Sequence, residues 1–141
     1  MQSDTAEAPL SQADERLWAM LAHLSVVANL VTGILGPVIA LIIYLAYRDR
    51  SRYVGFQAFQ SFLFQLIWWV GAGVIAGIAW TATGILSAFL IGLVCIPFAC
   101  VITLLPVAAL FYGAIGAVQT YQGLDFEYWL VGNLARGMYA R

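Results

Sequence analysis

Two long stretches without a charged side chain constrain this chain more than any other feature. Residues 17–47 and residues 53–124 contain no Asp, Glu, Lys or Arg. The second stretch is far longer than the roughly 20 apolar residues that cross a bilayer core. Only 9% of the chain is charged and 63% is hydrophobic, whereas soluble globular proteins are about 25% charged. The sequence therefore predicts an all-α integral membrane protein.

Helix start and stop signals divide the apolar part. Ser11 followed by Asp14 resembles a capping box and predicts a helix start near residue 12. The run from Gly33 to Pro37 predicts a tight reversal, and we expect a second one at Thr83-Gly84. The resulting domain, residues 12–118, has four predicted transmembrane helices, at 12–33, 36–47, 54–81 and 85–118, the last kinked by Pro97 and Pro106.

Polar segments flank this domain. An acidic tail of residues 1–11 precedes it, and we expect no cleavable signal peptide, because the tail lacks a basic region and an apolar region. An aromatic-rich tail of residues 119–141 follows and is predicted to lie at the membrane interface.

The short loop 48–52 carries three arginines, Arg48, Arg50 and Arg52. With four spans, this loop and both tails lie on one face of the membrane. The positive-inside rule then places both termini in the cytoplasm. We expect the protein to lie in a bacterial inner (plasma) membrane. Three spans with the N-terminal tail outside also satisfy the rule. We expect the arginines to anchor the loop at lipid headgroups, or to form a docking patch for anionic lipid or a partner.

The third predicted helix has two distinct faces. Gln57, Gln60, Ser61 and Gln65 fall on one side of it at 100° per residue. Lipid cannot satisfy their hydrogen bonds, so this side should contact protein as interhelical glue, or line a wet groove. Gly73 and Gly77 form a GxxxG pair on the opposite side, where small residues let another helix approach closely.

His23 is the single histidine and lies within the first predicted span. Three hypotheses remain open: a neutral hydrogen-bonded structural residue, a proton-handling group, or a ligand to haem or a chlorophyll-type pigment through the Ala19-x-x-x-His23 spacing. The apolar segments contain no second histidine and no carboxylate, so the sequence predicts no metal site and no enzyme activity.

Several motifs carry a resemblance to a known family. ERLWAMLAHLS, GPVIALIIYL, RDRSRYV with FQAFQSFLFQ, and AVQTYQGLDFEYWLVGNL resemble small bacterial membrane proteins of unknown function. That family is related to the four-helix subunit of the chloroplast inner-envelope protein translocon. The resemblance covers about residues 14–134 and is most specific at Ala22-His23-Leu24, Gly36-Pro37 and Gln57-Ala58. Ser61-Phe62-Leu63 and Trp129 depart from the family pattern. The resemblance implies four spans and no enzyme activity.

These observations favour a non-enzymatic accessory or assembly subunit that packs against other membrane protein subunits in a larger complex, and no nucleic acid partner. A transport or protein-translocation element with a polar Gln/Ser face is the first alternative. A cofactor-binding subunit using His23 is the second.

Overall fold

The computed structural model describes residues 9–139, and this part of the chain is helical without a β-strand. The chain starts with α1 (Gln12–Leu24), a 3-10 turn (Ser25–Ala28) and the short α2 (Asn29–Thr32), and returns as α3 (Leu35–Tyr47). α4 (Arg52–Gln65) continues through a π-helical turn (Leu66–Val70) into α5 (Gly71–Ser87). α6 (Gly92–Thr103), α7 (Leu105–Tyr121) and α8 (Val131–Tyr139) follow.

The start of the first helix and the first reversal are confirmed, whereas the helix predicted over 12–33 is interrupted by the 3-10 turn at Ser25–Ala28. Ser11 is the N-cap of α1, and its hydroxyl accepts a hydrogen bond from the Asp14 amide at 3.2 Å. Gly33 ends α2 with φ of 76°, a left-handed conformation that glycine adopts without a steric penalty. The chain then returns as α3, so the predicted hairpin is present.

The second reversal was predicted too early. α5 runs through Thr83 and Gly84 to Ser87, and the chain reverses over residues 88–91. The Thr83 hydroxyl donates to the Ala79 carbonyl at 2.7 Å inside the helix, so this residue supports the helix and does not break it. Glycine at position 92 lets the chain after the turn at residues 88–91 pack closely against the end of α5. A Cβ at this position would overlap the Ser87 side chain and lie 2.4 Å from the Thr83 carbonyl oxygen.

The structure also corrects the prediction of four transmembrane helices. Within residues 9–139, two helices are long and apolar enough to cross a membrane, Arg52–Ser87 and Gly92–Tyr121. α3 has 13 residues, and at 1.5 Å per residue it reaches about 20 Å against a core of about 30 Å. The segment before it is interrupted by the 3-10 turn and carries three charged residues in its first turns, Asp14, Glu15 and Arg16.

The helices form two parts that differ in the number of helices. The first, the basal bundle, comprises α1–α4, α7 and α8, with α1 packed on α3, α4 and α7, and α8 packed on α4. The second, the apical hairpin, is α5 packed on α6. They join where α4 passes through its π-helical turn and where Leu104 separates α6 from α7. The Trp68 indole N–H donates to the Leu105 carbonyl at 2.9 Å across this joint. Pro106 lies in the first turn of α7, whereas Pro97 lies inside α6 without ending it.

Apolar side chains lie outside this fold and polar ones inside it. In the most apolar 18 residues of each long helix, only 17% (Arg52–Ser87) and 11% (Gly92–Tyr121) are buried within the chain. A core helix of a soluble protein would be mostly buried. Val31, Phe98 and Phe111 are among many large hydrophobic side chains that stay exposed. The largest fully buried side chains include His23 and three glutamines. Such an arrangement suits a hydrocarbon surrounding and would be unfavourable in water.

The predicted interfacial tail is more structured than the sequence indicates. α7 extends to Tyr121 instead of residue 118, and α8 forms after a non-helical stretch at residues 124–128. This stretch runs back along the bundle, because Tyr53 reaches the Leu124 carbonyl while Tyr128 stacks on Phe64. Tyr53 and Phe64 are separated by about 16 Å along α4. We call residues 122–130 the re-entrant segment. Its position relative to the membrane interface stays a prediction.

Candidate functional site: a buried polar network

Four polar side chains of α4 lie in the interior of the basal bundle. Gln57, Gln60 and Ser61 have no exposed surface, and Gln65 is 1% exposed. Their spacing of three and four residues places them on one helix face. α1 lies across this face, and the re-entrant segment covers its end near the 48–52 loop.

The half of this network nearest the apical hairpin holds the α1–α3 hairpin to α4. The Gln65 amide nitrogen donates to the hydroxyls of Ser25 at 2.9 Å and Ser61 at 3.0 Å. Its oxygen accepts from Asn29 Nδ2 at 3.3 Å, and Asn29 Oδ1 accepts from the Gly36 amide at 2.8 Å. A Cβ on Gly36 would overlap the Gln65 oxygen and lie 2.6 Å from Asn29 Nδ2. Glycine is therefore required for the hairpin to approach α4 this closely.

The other half of the network fixes the tautomer of His23. Gln57 Nε2 donates to Asp125 Oδ1 at 3.0 Å, so Gln57 Oε1 faces His23 Nε2, also at 3.0 Å. An amide oxygen only accepts hydrogen bonds, and His23 Nε2 must therefore carry a proton. His23 Nδ1 then accepts from the Tyr128 hydroxyl at 2.9 Å. Each of these groups is satisfied with a neutral imidazole.

Three further side chains pair with backbone groups of the re-entrant segment. Gln60 Nε2 donates to the Phe126 carbonyl at 2.6 Å, and the Tyr112 hydroxyl accepts from the Trp129 amide at 3.0 Å. The Tyr53 hydroxyl donates to the Leu124 carbonyl at 3.0 Å. Non-helical backbone inside a membrane protein requires such partners, since lipid offers none. Gln60, Tyr112 and Tyr53 thus together hold the backbone of the re-entrant segment against the bundle.

Aromatic packing holds Tyr128 in the network. Its ring stacks on Phe64 with centroids 3.9 Å apart and an interplanar angle of 7°. Tyr112 and Phe126 contact it edge to face at 5.1 Å and 4.9 Å. Tyr128 is 1% exposed, so the hydrogen bond to His23 forms in a dry site.

A tetrapyrrole metal would need one of the His23 nitrogens. Both nitrogens are in hydrogen bonds, to Tyr128 and Gln57, and the ring has no exposed surface. A ligand could bind only after one partner had moved away. Within the described residues, no group of three or more His, Cys, Asp or Glu side chains could hold a metal ion.

The remaining predicted site residues lie apart from this network. Gly73 and Gly77 are exposed on the apical hairpin, and a Cβ on either one would meet no atom within 4 Å. Arg48 lies over the Tyr44 ring at 5.7 Å and pairs with Asp49, while the Arg50 guanidinium lies 5.7 Å from the Tyr47 ring. Arg52 is exposed at the start of α4.

Sequence reasoning missed three members of the site: Asp125, Phe126 and Tyr128. The alternation of aromatic and polar residues there was interpreted as a headgroup-level anchor. A signal for the contact was nevertheless present. A helix face with three glutamines needs many hydrogen-bond partners, and the first predicted span offered few of them.

Comparison with known proteins identifies the family. The family model for the magnetosome magnetite crystal formation protein family (MamF/MmsF) matches residues 14–135. The chain belongs to this family. A search of curated proteins and a search of solved structures each returned no match. The predicted resemblance to small bacterial membrane proteins is therefore supported, whereas no relation to the chloroplast translocon subunit is shown.

Family membership and the fold agree on a coarse role. The family acts in the formation of magnetite crystals in magnetosomes, and the chain has two apolar helices of membrane-spanning length. Together they indicate a membrane-associated protein with an accessory role in that process.

Proposed function

We propose that this protein is a non-enzymatic membrane subunit that supports magnetite crystal formation by packing against other membrane subunits. The observation that carries the proposal is the burial of the polar network within the chain, where Gln60 Oε1 is the one atom of these side chains without a hydrogen-bond partner among the described residues. His23 and the four polar residues of α4 are at most 1% exposed and bond within the chain. They stabilise the fold, and we assign contact with a partner to the exposed apical hairpin.

The proposal includes a position in the membrane. The first residues of α1, the 48–52 loop and the end of α7 meet at one end of the bundle, where Ser51 donates to Glu15 and Tyr53 to Leu124. We place this end at the cytoplasmic surface, since the arginine-rich loop lies there. The two long helices cross the bilayer, and the α1–α3 hairpin inserts partway from the same side, with apolar Leu30 and Val31 at its tip.

Partner packing is tested on the glycine pair. Gly73→Leu and Gly77→Leu should reduce the amount of any membrane protein that co-purifies with the chain from its source membrane in mild detergent. Gly71→Leu is the matched control, because Gly71 also has open space around it and lies on the opposite side of α5. Mass spectrometry of the co-purifying chains measures the effect. Equal partner recovery from all three variants would contradict the role assigned to this face.

The transport alternative makes a different prediction for the network. If Gln60 and Gln65 lined a wet path, replacing both with leucine would reduce flux and leave the fold intact. On our proposal the same double substitution lowers thermal stability, because carbonyl and hydroxyl groups lose their donors. Melting of the purified variant, followed by circular dichroism, distinguishes the two.

The role in crystal formation is tested in cells. A magnetite-forming strain without its own family member should regain a normal crystal size distribution, measured by electron microscopy, when it expresses this chain. The membrane fraction is checked for the protein by immunoblot. Unchanged crystals despite normal membrane levels would reject the role.

A further inference from the structure

A cleft of about 520 Å³ lies at the charged end of the basal bundle and adjoins the buried network at Asp125. α4 contributes Arg52 and Phe56 to its walls, the re-entrant segment contributes Asp125, and α8 contributes Arg136 and Tyr139. Its volume lies in the usual range of small-ligand sites, about 300–1,000 Å³. Three separate elements thus bring two guanidinium groups and one carboxylate to a single concave surface.

The two arginines of the cleft differ in their partners. Arg136 pairs with the Glu127 carboxylate, lies 4.0 Å from Asp125 Oδ2, and places its guanidinium 5.5 Å from the Phe56 ring centre. These contacts hold it in place and neutralise it. Arg52 forms no ion pair with any residue between 9 and 139. Arg52 therefore presents a guanidinium group that no ion pair within the described residues occupies.

The negative side of the cleft is Asp125. One of its oxygens accepts from Gln57, which fixes the carboxylate, and its side chain stays 64% exposed. It can still accept a further hydrogen bond from outside. The cleft is close to neutral overall, since Arg52 and Asp125 balance each other and Arg136 balances Glu127. Positive and negative groups at separate positions match a zwitterion better than a simple anion.

We propose that this cleft binds the phosphoethanolamine headgroup of a membrane lipid. Arg52 takes the phosphate oxygens, for which a guanidinium offers two parallel N–H donors. Asp125 accepts from the ammonium group. Burial raises the pKa of Tyr139, so its phenol remains a neutral group at the rim of the cleft.

The position of the cleft supports a lipid as the source of the phosphate. It opens beside the 48–52 loop, at the end of α4 where the long apolar helix begins. Tyr53 and Tyr139 line it, and tyrosines are typical of the headgroup level of a bilayer. A group bound here would be held where lipid headgroups are already concentrated.

Native mass spectrometry of the detergent-purified chain tests the proposal. Phosphatidylethanolamine, phosphatidylcholine and phosphatidylglycerol are added separately, and the retained lipid is counted. We expect phosphatidylethanolamine to be retained most, because a choline group has no N–H to donate and a glycerol headgroup leaves Asp125 facing a net negative lipid. Arg52→Gln should weaken its retention about tenfold, as loss of a charge-assisted contact does. Arg48→Gln is the matched control: it removes the same charge from the same loop, outside the cleft.

Three results would overturn the proposal. Equal weakening by Arg48→Gln and Arg52→Gln would mean diffuse attraction to the loop. Equal retention of the three lipids would mean that Asp125 selects nothing. Displacement of the lipid by millimolar inorganic phosphate would assign the cleft to a soluble phosphate. Asp125→Asn provides an independent check, since it should remove the preference for ethanolamine over choline while the Gln57 hydrogen bond is kept. Circular dichroism verifies that each variant is folded.

Discussion

Replacing Tyr128 by phenylalanine removes one oxygen atom from the centre of the buried network. The ring keeps its stacking on Phe64 and its edge contacts to Tyr112 and Phe126. The lost hydroxyl leaves His23 Nδ1 as a buried acceptor without a donor. Such an orphaned group costs about 1–3 kcal/mol, and hydrogen bonds inside membrane proteins are worth up to about 1.7 kcal/mol. We expect the free energy of unfolding to fall by about 1–2 kcal/mol.

Unfolding of the purified chain in mild detergent, driven by a denaturing detergent and followed by circular dichroism, measures this change. Tyr121→Phe is the matched control, because it removes the same atom from a side chain that is 58% exposed, and it should change stability by less than about 0.5 kcal/mol. A double-mutant cycle with His23→Leu isolates the pair, and its coupling energy should be about 1 kcal/mol.

The reasoning fails if Tyr128→Phe is as stable as Tyr121→Phe. That result would mean that the hydrogen bond between Tyr128 and His23 does not form. A normal single-variant effect with zero coupling would place the loss elsewhere, in the packing around Tyr128.

Three further substitutions test other parts of the structure. Gly36→Ala should destabilise the chain by about 1–3 kcal/mol, because the added methyl group overpacks against Asn29. Gly77→Ala is the control and should be neutral or slightly stabilising, because Gly77 has open space around it. Thermal melting compares the two variants. Ser51→Ala should cost about 1 kcal/mol, because Ser51 caps α4, and faster hydrogen exchange confined to the first turn of α4 would verify the cause. Trp68→Phe removes the hydrogen bond to the Leu105 carbonyl and should lower stability by about 1 kcal/mol or less. It should also widen the distribution of distances between spin labels on the apical hairpin and the basal bundle. An unchanged distribution would show that this hydrogen bond does not hold the joint.

Sequence signals predicted helix ends correctly where the end depends only on residues within one or two turns of it. The cap at Ser11 and the reversal at Gly33 depend on neighbouring residues alone, and both are confirmed. Thr83-Gly84 shows the limit of the same reasoning. The turn signal was there, but hydroxyl groups of Thr83 and Ser87 bond within the helix, and the reversal occurs where Gly92 can pack against Ser87.

The candidate site was only half predictable. The spacing of Gln57, Gln60, Ser61 and Gln65 places them on one face from helix geometry alone. Their partners could not be derived in this way. His23 is 34 residues from Gln57 and 105 residues from Tyr128 along the chain, and no sequence pattern connects positions so far apart.

The sequence by itself determined the class of protein and the chemistry available to it. Charge-free stretches of this length are typical of a hydrocarbon surrounding, and a single histidine with no carboxylate limits the ionisable groups in those stretches. The tertiary structure decided how many helices are long enough to span a membrane, and what satisfies the glutamines. The physical reason is that lipid cannot pair with a polar group. The non-helical residues before α8 therefore fold back onto α4, where Tyr53, Gln57 and Gln60 form hydrogen bonds with them.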